Sequence, residues 1–335
     1  MSRLFRRRPL AGLAALVGLG LLAAGCSGGG GSAAPGGLEK TNLSVAAVPA
    51  LDSAALYIAK ERGLFSAEGL NVTILKINSG QNAIKSQLAG SLDVTVGNYV
   101  SYIRANANLA DVVPGTKPGT HADFRVLAPA SIMQASNQEI MVPRHSSINS
   151  VAGLAGKRIA VNVTQNIGTL LVSSVLADNA VAVNKNQFVA VPFTQMATAL
   201  HNHTADAAWM PEPFVTQLEE DTGAVPLADA NQGHSQNLPI SGYMITARWL
   251  KKYPNTAAAF RTAILKAQAI AATDPGAVEK GMVRYAGVPA RIAAIANAPQ
   301  YPTQQNPVLL GRLAGLMLNF GMLQQAYDVN QMIVK

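Results

Sequence analysis

The sequence predicts an α/β protein built from two halves, each with a mostly parallel sheet flanked by helices. Short apolar strands alternate with helices of about ten residues from residue 43 onward, a pattern typical of parallel βαβ units. The same alternation restarts after residue 135. The 335 residues are 49% hydrophobic and only 13% charged, which is enough apolar material for two large cores.

The first half begins with a β-rich run at 43–48. A helix follows at 54–62, because apolar residues recur there at helical spacing and Gly63 stands where a C-terminal cap belongs. The same signals predict further strands at 72–77 and 92–96 and further helices at 81–89 and 99–107.

The second half repeats this pattern and ends in a helical region. The predicted strands are 158–163, 188–191, 205–210 and 240–246, the helices between them are 168–177 and 195–202, and the C-terminal helices are 255–273, 276–286, 289–296 and 307–319. Periodicity allows a tandem arrangement split near residue 135. It equally allows a nested arrangement in which 135–240 is an insertion.

Residues 1–25 have the pattern of a secretory signal peptide. Four arginines precede an apolar stretch at 10–24 that is short for a transmembrane helix. The small residues at 22–25 and Cys26 resemble a bacterial lipobox, in which the cysteine is acylated and becomes the mature N-terminus. A flexible tether follows, within 26–41. We therefore expect an exported lipoprotein held at the outer face of the cell membrane by its lipid anchor only.

The single cysteine and the leader limit the chemistry of the mature protein. Cys26 is the only cysteine, so we expect no disulfide, thiolate metal site or thiol catalysis. Loss of the leader's four arginines leaves 22 basic against 18 acidic residues, a net charge of +4 in place of +8. Basicity is therefore poor evidence for nucleic acid, and we expect none as a partner.

Polar side chains gather directly after the predicted strands. In open α/β sheets, ligands bind outside the carboxyl ends of the strands, so these loops are the candidate ligand site. They contain no Lys or Arg, which suits a small neutral or singly anionic ligand better than a multiply charged phosphate. The candidate ligand-binding residues are Leu51, Asp52, Ser53, Asn78, Ser79, Gly80, Gln81, Asn98, Tyr99, Gln165, Asn166, Gly168, Thr169, Phe193, Trp209 and Glu212.

Motifs for cofactors, metals and hydrolysis are missing from the sequence. Residues 154–157 (LAGK) lack the glycine spacing and the following Ser or Thr of a P-loop. His201 and His203 are two residues apart and face different ways on a helix end, so they are a surface pair and not a metal site. No G-x-S-x-G or H-E-x-x-H motif occurs. We expect no catalytic residue, metal or cofactor.

Glu212 stands alone between Pro211 and Pro213, just after Trp209. Pro211 ends the strand, and Pro213 suits the first position of a helix, where its missing N–H costs nothing. The carboxylate then lies at a helix entrance, where the helix dipole favours negative charge. Two roles stay open for Glu212: a structural cap and an acceptor for an amine on the ligand.

Several motifs together resemble one family, the periplasmic-binding proteins for aliphatic sulfonates, taurine, nitrate and thiamine-pyrimidine precursors. The resemblance extends from about residue 43 to the end, and one departure is His203-Thr204, where the family usually has a glycine. The matching segments are 54–65 (AALYIAKERGLF), 68–72 (EGLNV), 88–94 (LAGSLDV), 153–161 (GLAGKRIAV), 205–209 (ADAAW) and 212–214 (EPF).

The resemblance implies a type II periplasmic-binding-protein fold with two lobes and a two-strand hinge. It favours the nested arrangement, with a discontinuous first lobe at 42–132 and 240–335 and an inserted second lobe at 133–239. It further implies a monomeric, non-enzymatic protein that closes around a small solute. That protein would deliver the solute to the permease and ATPase subunits of an ABC importer.

Two ligand classes and two rival functions follow from the same resemblance. The first ligand class is a sulfonate or taurine-like solute whose anionic end would lie on the helix starts near Ser79, Gly80, Gln165 and Thr169. The second is an aminopyrimidine or another flat heterocycle stacked on an aromatic ring, with Glu212 or Asp52 binding its amine. The rival functions are a pyrimidine-synthase-like enzyme, which the missing cysteines disfavour, and a ligand-sensing lipoprotein without a permease.

Overall fold

The computed structural model describes residues 37–183 and 188–334, and within them the chain forms ten strands. The predicted leader and Cys26 lie outside these residues. The strands are β1 (Asn42–Ala47), β2 (Asn71–Lys76), β3 (Val94–Asn98), β4 (Phe124–Ile132), β5 (Gln138–Val142), β6 (Ile159–Val161), β7 (Phe188–Ala190), β8 (Ala207–Pro211), β9 (Val225–Asp229) and β10 (Pro239–Thr246).

The strands form two sheets that share one topology. The first has the order β2-β1-β3-β10-β4 and the second β7-β6-β8-β5-β9. In each sheet the fourth strand, β10 or β5, runs antiparallel to both of its neighbours, while the remaining pairings are parallel. We call the parts built on these sheets lobe 1 and lobe 2. The predicted two-lobed α/β fold is confirmed.

Helices follow most of the strands. They are α1 (Ala54–Glu61), α2 (Leu64–Ala67), α3 (Gly80–Leu88), α4 (Tyr99–Ala107), α5 (Ile167–Asp178), α6 (Met196–His201), α7 (Phe214–Thr222), α8 (Ala247–Lys252), α9 (Pro254–Thr273), α10 (Pro275–Gly281), α11 (Ala290–Ala293) and α12 (Pro307–Asn319). Short 3₁₀ turns at Leu51–Ser53 and Phe193–Gln195 precede α1 and α6. Strand and helix thus meet at the carboxyl edges of both sheets.

Side-chain caps fix the starts of six of these helices, among them α3, α4 and α5. The Ser79 hydroxyl accepts a hydrogen bond from the Gln81 N–H (3.1 Å), and Asn98 Oδ1 accepts one from the Ser101 N–H (3.0 Å). At the start of α5, Asn166 Oδ1 accepts a hydrogen bond from the N–H of Ile167 (2.7 Å). Each cap is worth about 1 kcal/mol. The polar residues that the sequence placed after the strands therefore hold helix starts at the sheet edges.

The apolar core continues from one lobe into the other. One buried cluster, which includes Val45, Tyr243 and Phe260, belongs to lobe 1. A second cluster fills lobe 2 and also takes in Ile103 of α4 and Leu313 of α12. The two lobes therefore share a packed apolar contact.

The structure differs from the sequence expectations at a few elements. The strands β4, β5 and β9 were not predicted, because Pro129 and Pro226 interrupt two of them and β5 begins with a buried polar pair. The helix predicted at 276–286 is α10 followed by a π-helical turn at Met282–Ala286. Helix α7 begins at Phe214, so Pro213 precedes the helix and does not occupy its first turn.

Candidate functional site

A cavity lies between the carboxyl edges of the two sheets. Its volume is about 60 Å³, which leaves room for several water-sized groups. Both lobes contribute to its wall, as expected for a ligand site at strand ends. The lining residues are Val48, Ala50, Asp52, Ser53, Ser79, Gly80, Val96, Asn98, Ile240 and Ser241 from lobe 1, and Gln138, Asn162, Ile167, Phe193, Trp209 and Pro211 from lobe 2.

The structure brings seven of the sixteen candidate residues to this cavity. They are Asp52, Ser53, Ser79, Gly80, Asn98, Phe193 and Trp209. Gly80 is a glycine for a steric reason, since a Cβ atom there would lie 2.9 Å from the Cα of Gly97 in β3. The start of α3 therefore approaches β3 closely enough to form part of the cavity wall.

Asp52 is the one charged residue among the described residues that line the cavity, and no Lys or Arg joins it. Ser131 Oγ donates a short hydrogen bond to Asp52 Oδ1, and Ser131 in turn lies 2.8 Å from the hydroxyl of Ser241. Burial between the lobes raises the pKa of Asp52 to about 6, although the Ser131 hydrogen bond acts in the opposite direction. At neutral pH, Asp52 therefore presents a mostly ionised carboxylate to the cavity.

Three cavity residues of lobe 2 carry buried polar atoms that have no partner in the protein. These atoms are the indole nitrogen of Trp209 and the side-chain oxygens Gln138 Oε1 and Asn162 Oδ1. Trp209 is 2% exposed and Gln138 is 1% exposed. A buried polar group without a partner costs about 1–3 kcal/mol, so these three atoms are unsatisfied in this conformation of the protein.

An aromatic cluster supports one wall of the cavity. The ring of Phe193 packs on Trp209 with a centroid distance of 5.9 Å and stacks on Phe214 at 4.8 Å. A Cβ atom on Gly168 would lie only 2.8 Å from Cζ3 of the Trp209 ring. Gly168 thus acts by leaving room for the indole and does not itself line the cavity.

The candidates at the start of α5 lie where the lobes meet, outside the lining. Asn166 Oδ1 accepts a hydrogen bond from Ser101 Oγ (3.2 Å), and its Nδ2 donates to Gln81 Oε1 at 3.4 Å. The carbonyl of Gln165 accepts a 2.6 Å hydrogen bond from Arg104, and its N–H donates to Thr169 Oγ1. These residues therefore join lobe 1 to lobe 2.

The remaining lobe 1 candidates also lie outside the lining. The carbonyl of Asn78 accepts a hydrogen bond from Asn162 Nδ2 (3.2 Å), which is a further contact between the lobes. Tyr99 is fully buried, and its hydroxyl donates to Gln305 Oε1 at 3.0 Å. Leu51 is buried beside Asp52.

Glu212 is 2% exposed and does not line the cavity. Its Oε2 accepts a hydrogen bond from the Thr216 N–H (3.1 Å), and its Oε1 accepts from the Thr216 hydroxyl (2.8 Å) and the Asn297 N–H (3.1 Å). Burial raises the pKa of Glu212, while these hydrogen bonds lower it. The carboxylate therefore interacts with protein donors.

Sequence reasoning missed several lining residues because they lie inside strands or in apolar turns. Gln138 belongs to β5 and Ser241 to β10, which are the first strands after the chain crosses from one lobe to the other. Asn162 directly follows β6 and lies within a segment predicted as strand. A buried polar residue in an otherwise apolar strand was the one signal that could have identified Gln138 and Ser241.

Across residues 37–183 and 188–334, no set of three or more His, Cys, Asp or Glu side chains is placed to hold a metal ion. In the same part of the chain, no helix combines the length and apolar character needed to cross a membrane.

Two solved structures of binding proteins are similar in fold to this chain. The alkanesulfonate-binding protein SsuA from Xanthomonas axonopodis pv. citri, solved bound to MOPS, is 17% identical, with a TM-score of 0.72, covering 89% of this chain and 99% of that chain. The periplasmic nitrate-binding protein NrtA from Synechocystis PCC 6803 is 16% identical, with a TM-score of 0.73, covering 88% and 86%.

An enzyme shares the same fold. The desulfurization enzyme DSZB is 18% identical, with a TM-score of 0.64, covering 88% of this chain and 96% of that chain.

No curated protein sequence is significantly similar to this chain. The family model described as "NMT1/THI5 like" matches residues 50–278, which is more than half of the sequence. The chain belongs to the NMT1/THI5 like family.

Proposed function

We propose that this protein is the solute-binding component of an ABC importer and captures a small solute that carries an amino group. The solute is held in the cavity between the lobes and passed to a membrane permease with its ATPase partner. The fold supports this role, since one similar structure is described as the ligand-binding component of an ABC-type import system from Staphylococcus aureus. Relatives at 12–17% identity support the fold alone, so we infer the class of ligand from the residues of this chain.

The proposal includes the lobe boundaries and a hinge. Lobe 1 comprises 42–132 and 240–335, and lobe 2 comprises 133–239. The strands support this division, because the first sheet takes its strands from before 133 and after 238 and the second sheet takes the rest. The two segments that connect the lobes, 133–137 and 230–238, would bend when the lobes close.

Asp52 is the observation that carries the amine specificity. An ionised carboxylate with no lysine or arginine in the cavity wall attracts an ammonium or amino group. It repels a plain anion such as nitrate or an alkanesulfonate at the same position. The two solved relatives named for those anions therefore share the fold, and we assign this chain a different ligand chemistry.

The unpaired atoms of lobe 2 refine this assignment. Gln138 Oε1 and Asn162 Oδ1 would accept hydrogen bonds, and the Trp209 indole N–H would donate one. A flat nitrogen heterocycle with an amino group offers several donors, one ring acceptor and a face for the aromatic wall. We therefore place an aminopyrimidine-like solute first.

Taurine is the second candidate, and the start of α3 favours it. Its ammonium would bind Asp52, and its sulfonate would lie against the backbone at Gly80, the first residue of the nine-residue helix. The same helix start interacts less favourably with an uncharged solute, because the helix dipole favours negative charge there. If the protein binds taurine, Asp52 remains the amine acceptor. The other end of the solute would then be bound by the start of α3 and not by the polar side chains of lobe 2.

Binding without catalysis is part of the proposal. The only cysteine, Cys26, lies at the predicted end of the leader, far along the sequence from every residue of the cavity wall. Asp52 is held by a serine hydroxyl, an arrangement that orients an acceptor. Anchoring through a lipid on Cys26 would keep the monomeric protein at the outer face of the membrane, close to its permease.

Native mass spectrometry of the purified protein tests the function directly, followed by thermal-shift measurements with 2-methyl-4-aminopyrimidine, taurine, ethanesulfonate and nitrate. Binding at a solute concentration about a hundredfold above Kd would add about 2.7 kcal/mol to stability and raise Tm. We expect the aminopyrimidine or taurine to do so and the plain anions to have no effect. Stabilisation by the anions alone would contradict the amine assignment, and chemical conversion of a bound solute would contradict the non-enzymatic role.

A paired substitution tests whether the cavity is the binding site. Trp209→Phe removes the indole donor from the cavity wall. Trp249→Phe is the matched control, since Trp249 Nε1 donates to Asp93 Oδ1 at 2.8 Å, away from the cavity. We expect only Trp209→Phe to weaken binding of the solute that stabilises the wild type. Equal weakening by both variants would contradict a site at this cavity.

A further inference from the structure

Glu212 connects the two lobes through both its backbone and its side chain. Its carbonyl accepts a hydrogen bond from the N–H of Leu51 (3.0 Å), the residue just before Asp52 in lobe 1. Its Oε1 accepts a second hydrogen bond from the N–H of Asn297, at 3.1 Å. Glu212 itself follows β8 of lobe 2, so one residue contacts lobe 1 at two separate points.

The segment that carries Asn297 is attached firmly to lobe 1. Gln300 exchanges two backbone hydrogen bonds with Ile132 at the end of β4, each 3.0 Å long. The hydroxyl of Tyr301 donates to the carbonyl of Leu51 at 3.0 Å. Leu51, Tyr301 and the backbone leading back to Asn297 therefore complete a ring of contacts that starts and ends at Glu212.

The ring lies directly behind the cavity wall. Asp52 occupies the same 3₁₀ turn as Leu51, so the hydrogen bond from Leu51 to Glu212 joins lobe 2 to the turn that presents the Asp52 carboxylate. A helix cap alone needs only the two hydrogen bonds from Thr216. The bonds to Leu51 and Asn297 are additional to that requirement, and both cross between the lobes.

We infer that Glu212 is a positioning residue for lobe closure: its carboxylate and carbonyl hold lobe 1 and lobe 2 together around the solute without touching it. This inference rests on the proposed capture of a solute between the lobes. A hydrogen bond to a charged group is worth about 1.5–3 kcal/mol. Loss of the Glu212 carboxylate should therefore lower the ratio of closed to open molecules roughly tenfold or more.

Distances between spin labels on the two lobes measure this ratio with no solute added. Lys117 of lobe 1 and Asn202 of lobe 2 are both exposed, and replacing each with cysteine in a Cys26→Ser background leaves these as the only thiols for labelling. For the otherwise native chain we expect a measurable short-distance population. For Glu212→Ala we expect the long-distance population to grow and solute dissociation to accelerate.

Thr216→Val is the matched control for a purely structural cap. It removes the hydroxyl that bonds Glu212 Oε1 and leaves the Thr216 N–H and the Asn297 contact in place. We expect this variant to lower Tm with little change in the distance distribution. Glu212→Gln preserves the side-chain volume and keeps one acceptor oxygen, so it should shift the distribution in the same direction as Glu212→Ala, by less.

Two outcomes would overturn the inference. One is a lower Tm with an unchanged distance distribution in both Glu212 variants, which would leave Glu212 as a cap only. The other is an equal opening of the lobes in Thr216→Val. Failure of this inference can be distinguished from failure of the proposed function. A wild-type protein that binds none of the tested solutes would still give the distances between the labels.

Discussion

The indole ring of Trp209 packs against the backbone of Gly168 with no room for a side chain between them. A Cβ atom on Gly168 would lie 2.8 Å from Cζ3 of the ring, well inside van der Waals contact. Gly168 lies in the first turn of α5, and Trp209 lies in β8, the strand beside β6. The indole can therefore occupy this place in the cavity wall only because Gly168, on the neighbouring helix, has no side chain.

Gly168→Ala should displace Trp209 and weaken solute binding. Overpacking of a buried site costs about 1–3 kcal/mol, which exceeds the gain of up to about 1 kcal/mol from replacing a helical glycine by alanine. We expect a lower Tm, a change in tryptophan fluorescence and a reduced affinity, measured by thermal denaturation and isothermal titration calorimetry.

Gly311→Ala provides the control for this prediction. Gly311 lies inside α12, and a Cβ atom there would meet no other atom within 4 Å. We expect this variant to be as stable as the wild type or slightly more stable, with unchanged affinity. A Gly168→Ala protein that behaves in the same way would show that the Trp209 ring can shift without cost.

Asp52→Asn should remove both the affinity for an amine and its dependence on pH. The pKa of Asp52 is raised to about 6, chiefly by burial, so the wild-type carboxylate becomes protonated as the pH falls through that value. We expect amine binding to be tighter at pH 8 than at pH 5 in the wild type. In Asp52→Asn we expect it to be weaker by roughly 10- to 100-fold at pH 8 and nearly constant with pH.

Ser131→Ala sharpens the test of Asp52. The Ser131 hydroxyl donates to the carboxylate and lowers its pKa, so its removal should move the midpoint of the pH dependence to higher pH. Calorimetric titrations between pH 5 and 8 measure both effects. Unchanged amine affinity in Asp52→Asn would contradict the assignment of Asp52 as the amine acceptor.

The sequence predicted the fold well because each βα unit carries its own local signals. Apolar strands followed by a capping Ser79, Asn98 or Asn166 mark the carboxyl edge of each sheet, and half of the site follows from that edge. The other half depends on strand pairing between segments that are far apart in the sequence. Gln138 reaches the cavity only because β5 pairs with β8, a long-range contact that local periodicity does not encode.

Glu212 illustrates the same limit at a single residue. Its position between two prolines correctly indicated a strand end followed by a helix. Whether its carboxylate faces the ligand or the protein depends on Asn297, which is 85 residues away in the sequence. Local sequence therefore predicted where Glu212 lies in the fold and left its partner undetermined.

Cys26→Ser should release the protein from the membrane. If Cys26 is acylated after cleavage at Gly25, the wild-type protein sediments with membranes and its N-terminal peptide carries the mass of the lipid. We expect the variant to be recovered in the soluble exported fraction, with Ser27→Ala as a control that stays anchored. An unmodified Cys26 in the membrane-bound wild type would contradict lipid anchoring at this residue.

Glu139→Gln should stabilise the protein at alkaline pH and have little effect in acid. Glu139 is 4% exposed in β5, its Oε2 has no hydrogen-bond partner, and it pairs across the sheet with Asp229. Burial and then the charge of Asp229 raise the pKa of Glu139 to about 7. Because the folded protein holds this proton more tightly than the unfolded chain, stability falls as the pH rises from about 4.5 through about 7, and it remains lower above that range.

The neutral amide of Glu139→Gln removes this loss. We expect the free energy of unfolding at pH 8 to increase by about 1–3 kcal/mol, with almost no change at pH 4, where the wild-type carboxyl is protonated in both states. Thermal and urea denaturation at the two pH values measure the difference, and Glu279→Gln, on α10 away from Asp229, controls for the loss of one negative charge. A gain of equal size at pH 4 and pH 8 would show that packing, and not ionisation, sets the stability at this position.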